Sequence, residues 1–150
     1  MFRPLFIYFT FIYFLFCDVQ AQSNLDELQK NYLNFILECA VENPVTSDDL
    51  EELKNQKMPD KENVKCLFAC AYKKAGMMND KGDLFIEGVQ EINKKYFGDN
   101  PEKMNKSEQF IQACKSVNDS PVSDGNKGCD RAALIFQCSV EKAPDFELVV

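Results

Sequence analysis

Six cysteines placed between positions 39 and 138 constrain this chain more than any other feature of its sequence. They are Cys39, Cys66, Cys70, Cys114, Cys129 and Cys138, separated by 26, 3, 43, 14 and 8 residues. An even set in an oxidising compartment reads as three disulfides, each stabilising by about 2–4 kcal/mol, mainly by restricting the unfolded chain. Spacing alone leaves fifteen pairings open. Cys66 and Cys70 stand at i and i+4, so on a helix they share one face and can tether it to two other segments. Cys129 and Cys138 lie two and a half helical turns apart and point to opposite sides. A four-cysteine metal site is set aside, because the chain has no His and no paired Cys-x-x-Cys knuckles.

A seventh cysteine, Cys17, falls in a leader. Arg3 supplies a positive start, and Leu5 to Phe16 is an apolar run broken only by Thr10. The run is too short for a membrane-spanning helix, which needs roughly 20 residues. Val19-Gln20-Ala21 then offers the residues wanted before a cleavage site. A lipoprotein signal at Cys17 would place bulky Phe16 where a small residue belongs. Residues 1–21 are therefore expected to be a signal peptide, and a secreted, extracellular protein is expected to begin at Gln22.

Composition narrows the chemistry. With no His, there is no Ser-His-Asp or Cys-His nucleophile pair, no His zinc ligand and no HExxH metalloprotease site. Carboxylate-only hydrolysis, as in glycosidases, stays formally open. A net charge of −7 argues against nucleic acid or an anionic membrane as the main partner. The expectation is no enzyme, no catalytic residues, no cofactor, no metal and no stable membrane insertion.

The 150 residues fit one domain. Periodicity predicts helix throughout. Asn24 with Glu27 makes a capping-box start, followed by Leu25, Leu28, Tyr32, Phe35, Ile36 and Cys39 at helical spacing, with Pro44 as the stop. Thr46 or Ser47 caps a short helix near Asp48 to Lys54. Asp60 opens a third, stopped at Gly76. Asn79 to Asp83 reads as a turn cluster. Further helices are predicted from about Phe85 to Phe97, Glu102 to Val117 and Cys129 to Glu141. No segment alternates with period two, so no strand is predicted.

These features together resemble the insect odorant-binding proteins of the six-cysteine, pheromone and general odorant-binding type. The resemblance rests on the leader, the all-helical chain, Cys66-x-x-x-Cys70 and the eight residues between Cys129 and Cys138. It implies an all-α single domain of about six helices around an apolar cavity, stapled by Cys39–Cys70, Cys66–Cys129 and Cys114–Cys138. It implies a carrier that takes small hydrophobic ligands, odorants or pheromones, through aqueous fluid to an odorant receptor. The same carrier could instead serve haemolymph, saliva or reproductive fluid. A saposin-like lipid-interacting protein is the more distant alternative, because saposins pair cysteines of the two chain ends. A monomer or weak homodimer is expected.

Apolar positions on inward helical faces nominate the cavity lining: Leu28, Tyr32 and Phe35, then Ile86, Val89, Phe110, Ile111, Ala133 and Phe136. The tail from residue 144 to residue 150 is expected to close over them as a lid, adding Phe146 and Leu148. Tyr32 is expected to give a ligand its single hydrogen bond, with Tyr72 and Tyr96 as alternatives. Without His, binding is expected to change little between pH 5 and 7. Any acid response would fall to carboxylates such as Asp145, Glu147 or that of Val150. The triplets Asn105-Lys106-Ser107 and Asn118-Asp119-Ser120 fit the glycosylation sequon but are read as chance in polar segments. The acidic run from Asp48 to Glu52 lacks a calcium-loop pattern and reads as helix-start charge.

Overall fold

The computed structural model describes residues 25–146. The expected leader, Asn24 and tail residues Glu147, Leu148, Val149 and Val150 lie outside the described residues. The described chain is all-α, with an isolated antiparallel bridge between Met78 and Leu84 and no strand. Helix α1 covers residues 25–39, α2 Ser47–Lys54, α3 Glu62–Lys74, α4 Ile86–Phe97, α5 Pro101–Cys114 and α6 Cys129–Lys142. Short 3-10 turns at Lys115–Asp119, Gly125–Lys127 and Ala143–Phe146 complete it.

Local chemistry sets most boundaries. Thr46 caps α2 through a reciprocal box: Asp49 N–H donates to its Oγ1 at 3.2 Å, and its own N–H donates to Asp49 Oδ2 at 2.9 Å. Asn100 caps α5 by accepting from Lys103 N–H at 3.0 Å, with Pro101 preset at the first helical position. Two of the boundaries that depart from the sequence expectation have side-chain partners beside them. Lys61, not Asp60, stands at the cap of α3 and makes no side-chain cap bond, because Asp60 is engaged with Lys65 Nζ at 2.6 Å. The α-helical part of α5 ends at Cys114, three residues short of the expected Val117. There the chain tightens into a 3-10 turn, and the carbonyls of Val117 within it and Ser120 just after it accept from the Arg131 guanidinium.

All three disulfides pair as the resemblance implied: Cys39–Cys70, Cys66–Cys129 and Cys114–Cys138. Helix α3 is thus fastened to α1 through Cys70 and to α6 through Cys66. Cys129 and Cys138 do serve opposite sides of α6. Helices α3 and α6 pack most extensively against each other. Between them lies the larger core cluster, with Ala69, Tyr72, Met78, Leu84, Val117, Ala132 and Ile135 buried. A smaller cluster of Cys39, Leu67 and Ala71 joins α1 to α3, and Tyr32 touches both.

The loop between α3 and α4 is held from a distance. Asn118 accepts from Leu84 N–H at 2.8 Å and donates to the Leu84 carbonyl at 2.9 Å. Gly82 and Gly128 meet here with φ of +81° and +78°, and a Cβ on Gly82 would lie 2.8 Å from the Gly128 Cα. Both the left-handed backbone and the close approach require glycine.

Candidate binding interior

An aromatic row runs through the α1–α3–α6 interior. Tyr32 of α1 stacks on Tyr72 of α3 with centroids 6.2 Å apart and planes at 25°. Tyr72 meets Phe68, one turn back on α3, at 6.0 Å. Phe68 in turn takes Phe136 of α6 edge-on at 5.2 Å. Ile86 and Val89 of α4 pack against the same cluster. A second pair, Phe110 of α5 and Phe146 of the last turn, meets edge-on at 6.2 Å. Such contacts add about 0.5–1.5 kcal/mol each beyond area burial.

The polar equipment of this interior is small. Burial first of all pushes the Tyr32 and Tyr72 phenols up from their ordinary range. Both are therefore neutral donors and acceptors at any physiological pH. The Tyr96 hydroxyl accepts from Asn31 Nδ2 at 3.0 Å and Lys95 Nζ at 3.1 Å, tying α4 to α1. Arg131, 5% exposed, spends its guanidinium on the two carbonyls after α5. Asp49, also buried, is held by Thr46 and by Lys61 Nζ at 2.5 Å. Among the described residues no cluster of His, Cys, Asp or Glu is arranged to hold a metal, and no helix is long and apolar enough to cross a membrane. The interior is thus apolar with two neutral hydroxyls.

The nominated residues fall into distinct places. Tyr32, Ile86, Val89 and Phe136 gather about the row, and Phe110 and Phe146 form the second pair. Phe35 sits instead in the smaller α1–α3 cluster. Leu28 is half-buried on α1, and Ile111 is buried on α5. Ala133 is buried but lines an outward cleft rather than the row. Leu148 lies outside the described residues. Sequence reasoning passed over Phe68, the link between Tyr72 and Phe136. The signal was present: Phe68 and Tyr72 are i and i+4 on α3, one helical face with two rings.

Comparison with known proteins agrees with this geometry. The chain is similar to general odorant-binding protein 19d of Drosophila melanogaster, 28% identical over 111 residues, covering 74% of this chain and 71% of the relative. Its fold is similar to that of the odorant-binding protein dmelOBP28a, also from Drosophila melanogaster. That match has a TM-score of 0.61 and 24% identity, covering 82% of this chain and 98% of that one. It is also similar to a pheromone-binding protein of the cockroach Leucophaea maderae, crystallised with the fluorescent reporter 1-anilinonaphthalene-8-sulfonic acid. Here the TM-score is 0.56 at 20% identity, over 75% of this chain and 92% of that one. The PBP/GOBP family matches residues 21–142, and the chain belongs to that family of pheromone-binding and general odorant-binding proteins.

Proposed function

We propose that this protein is a secreted, non-enzymatic carrier of small hydrophobic molecules, moving odorants or pheromones through aqueous fluid to receptors. The observation that carries the reading is the aromatic row with its two neutral phenols in a chain of this family. Small-molecule sites are mostly apolar with few polar groups, and this interior has that character. A ligand of about 15 non-hydrogen atoms, at roughly 0.4–0.5 kcal/mol per atom, binds near micromolar, which suits a carrier that must also release.

The finer parts have their own support. The leader reading of residues 1–21 is supported by the apolar run and by a family match that starts at residue 21. The lid reading of the tail is supported by Phe146 turning onto Phe110. Weak self-association is supported by Leu33 and Leu37, 56% and 60% exposed one turn apart on α1.

The test is displacement of a fluorescent naphthylamine probe from the protein secreted by insect cells. Volatile alcohols, esters, terpenoids and fatty acids compete, with and without the last five residues. Saturable, near-micromolar displacement that weakens on truncation is expected. No probe uptake by a protein with three formed disulfides would mean the shell is filled by its own side chains, and the carrier reading would give way to a protein-partner role.

A further inference from the structure

Two triplets of this chain have the Asn-x-Ser form that accepts an N-linked glycan, and the fold sets them apart: Asn105-Lys106-Ser107 on α5 and Asn118-Asp119-Ser120 after it. Helix α5 packs on α4 and α6 and buries Ser107, Ile111 and Cys114. Its outer face is a polar stripe of Glu102, Asn105, Gln109 and Gln112, all exposed and spaced by three and four residues. Asn105 therefore projects into solvent, beside the Glu102–Lys106 ion pair at 3.0 Å. A bulky, hydrated substituent there displaces nothing from the core.

The second triplet is the reverse case. Asn118 is half-buried, and its amide is committed on both atoms to the Leu84 backbone, at 2.8 and 2.9 Å. A sugar on its nitrogen would stand against the loop that the amide clamps. The chemistry of transfer separates the triplets as well, because the sugar arrives on an anionic diphosphate. Lys106 places an ammonium beside the first acceptor, whereas Asp119 places a carboxylate beside the second. Pro121 follows Ser120 directly and confines it to extended backbone, whereas Glu108 puts no such restriction on Ser107.

We propose that Asn105 carries an N-linked glycan in the secreted protein and that Asn118 carries none. The donor class is a polyisoprenyl-diphosphate-linked oligosaccharide headed by N-acetylglucosamine, met with its transferase in the secretory compartment. Asn105 Nδ2 forms a bond to the anomeric carbon and gives up one proton to solvent. The bond from that carbon to the diphosphate oxygen breaks, and the diphosphate leaves with the electron pair. Ser107 is 4% exposed in the folded chain, so its hydroxyl is read only before α5 forms. Transfer thus precedes folding, and the finished glycan is left on the outer stripe. The proposal rests on the secretion reading of residues 1–21, since only a chain that enters that compartment meets the donor.

The full chain is expressed in insect cells behind its own leader and, in parallel, with residues 1–21 exchanged for a heterologous secretion leader. Intact mass is read before and after peptide:N-glycosidase, which leaves an aspartate at the former acceptor. A mass decrease equal to one glycan is expected, with that aspartate mapped to position 105. Asn105→Gln is expected to abolish the decrease and Asn118→Gln to keep it in full. Should either variant fail to be secreted, mapping of the wild-type chain decides the acceptor by itself. No glycosidase-dependent change in protein from either leader would overturn the proposal. So would an aspartate mapped to position 118, or a glycan retained by Asn105→Gln. Recovery from the medium with the heterologous leader alone would defeat the secretion reading, and the mass of that protein would still decide the acceptor.

Discussion

Helices α3 and α4 are of similar length and sit side by side in sequence, yet they are held by different means. Helix α3 is bonded covalently at Cys66 and Cys70 and buries Val64, Leu67, Ala69, Ala71 and Tyr72 around much of its circumference. Helix α4 has no cysteine and buries only Gly88 and Tyr96. Its position depends on a close backbone approach at Gly88, on the Tyr96 hydroxyl, and on a loop clamped by Asn118. The contrast separates a covalently fastened spine from a wall held by noncovalent contacts to α1, α5 and the turn after α5. Regions without covalent fastening open at lower free energy, so α4 should open before α3 does.

The largest break expected in the spine is loss of Cys66–Cys129, whose sequence separation of 63 is the longest of the three. Loop-closure entropy assigns it about 4 kcal/mol, against about 3.5 kcal/mol for Cys114–Cys138 with its separation of 24. A Cys66→Ala/Cys129→Ala protein should therefore lose more in guanidinium unfolding than a Cys114→Ala/Cys138→Ala protein. The reverse order would mean that α3 is not the spine.

On α4 the sharpest test is Gly88→Ala. In an ordinary helix interior this change stabilises by about 1 kcal/mol. Here the added Cβ would lie 1.9 Å from the Gly76 carbonyl oxygen, so backbone must move. A net loss of about 1–3 kcal/mol is expected in thermal melts, with the sign itself as the result. A stabilised variant would show that α4 tolerates displacement freely.

Asn118→Ala probes the clamp on the loop before α4. It leaves the Leu84 N–H and carbonyl without their side-chain partner, and about 1–2 kcal/mol should be lost. The same bonds bear on the two sequons. The Asn118 amide is already occupied on both its atoms, whereas Asn105 is exposed on α5. Treatment with a glycosidase should leave the mass contribution of Asn118 unchanged.

What the sequence made legible follows the range of the interactions involved. The cap at Thr46, Gly76 as a stop and the helical period are local, and each could be read within one or two turns. The disulfides span long separations but are chemically marked, and a family resemblance supplied their pairing. Unmarked long-range contacts were not legible. The end of α5 is set by Arg131 and by Asn118 reaching Leu84, 34 residues away. Arg131 near a helix start reads as a solvent-facing charge, yet it is buried on two carbonyls. Ala133 reads as an inward position and is buried, yet it also borders an outer cleft, which only the fold reveals. Asp60 looks like a cap until Lys65 claims it.

The smallest effect concerns pH, and it distinguishes the structural carboxylates from the binding interior. Asp49 is lowered from 3.8 to about 2, chiefly by its hydrogen bond from Lys61 and then by the Thr46 N–H. Its folded form releases the proton more readily than the unfolded chain does. The stability it contributes is therefore complete above about pH 4 and is lost as pH falls toward 2. Asp49→Asn should flatten that part of an acid-unfolding curve while leaving the region from pH 5 to 7 unchanged. The Tyr32 and Tyr72 phenols shift the other way. Raised above the usual 10.0, they favour the fold below that pH, and their contribution fades only as pH rises beyond it. Between pH 5 and 7 neither set titrates, and the chain has no His to do so. Probe affinity should accordingly stay level across that window, and a collapse between pH 7 and 6 would overturn that expectation.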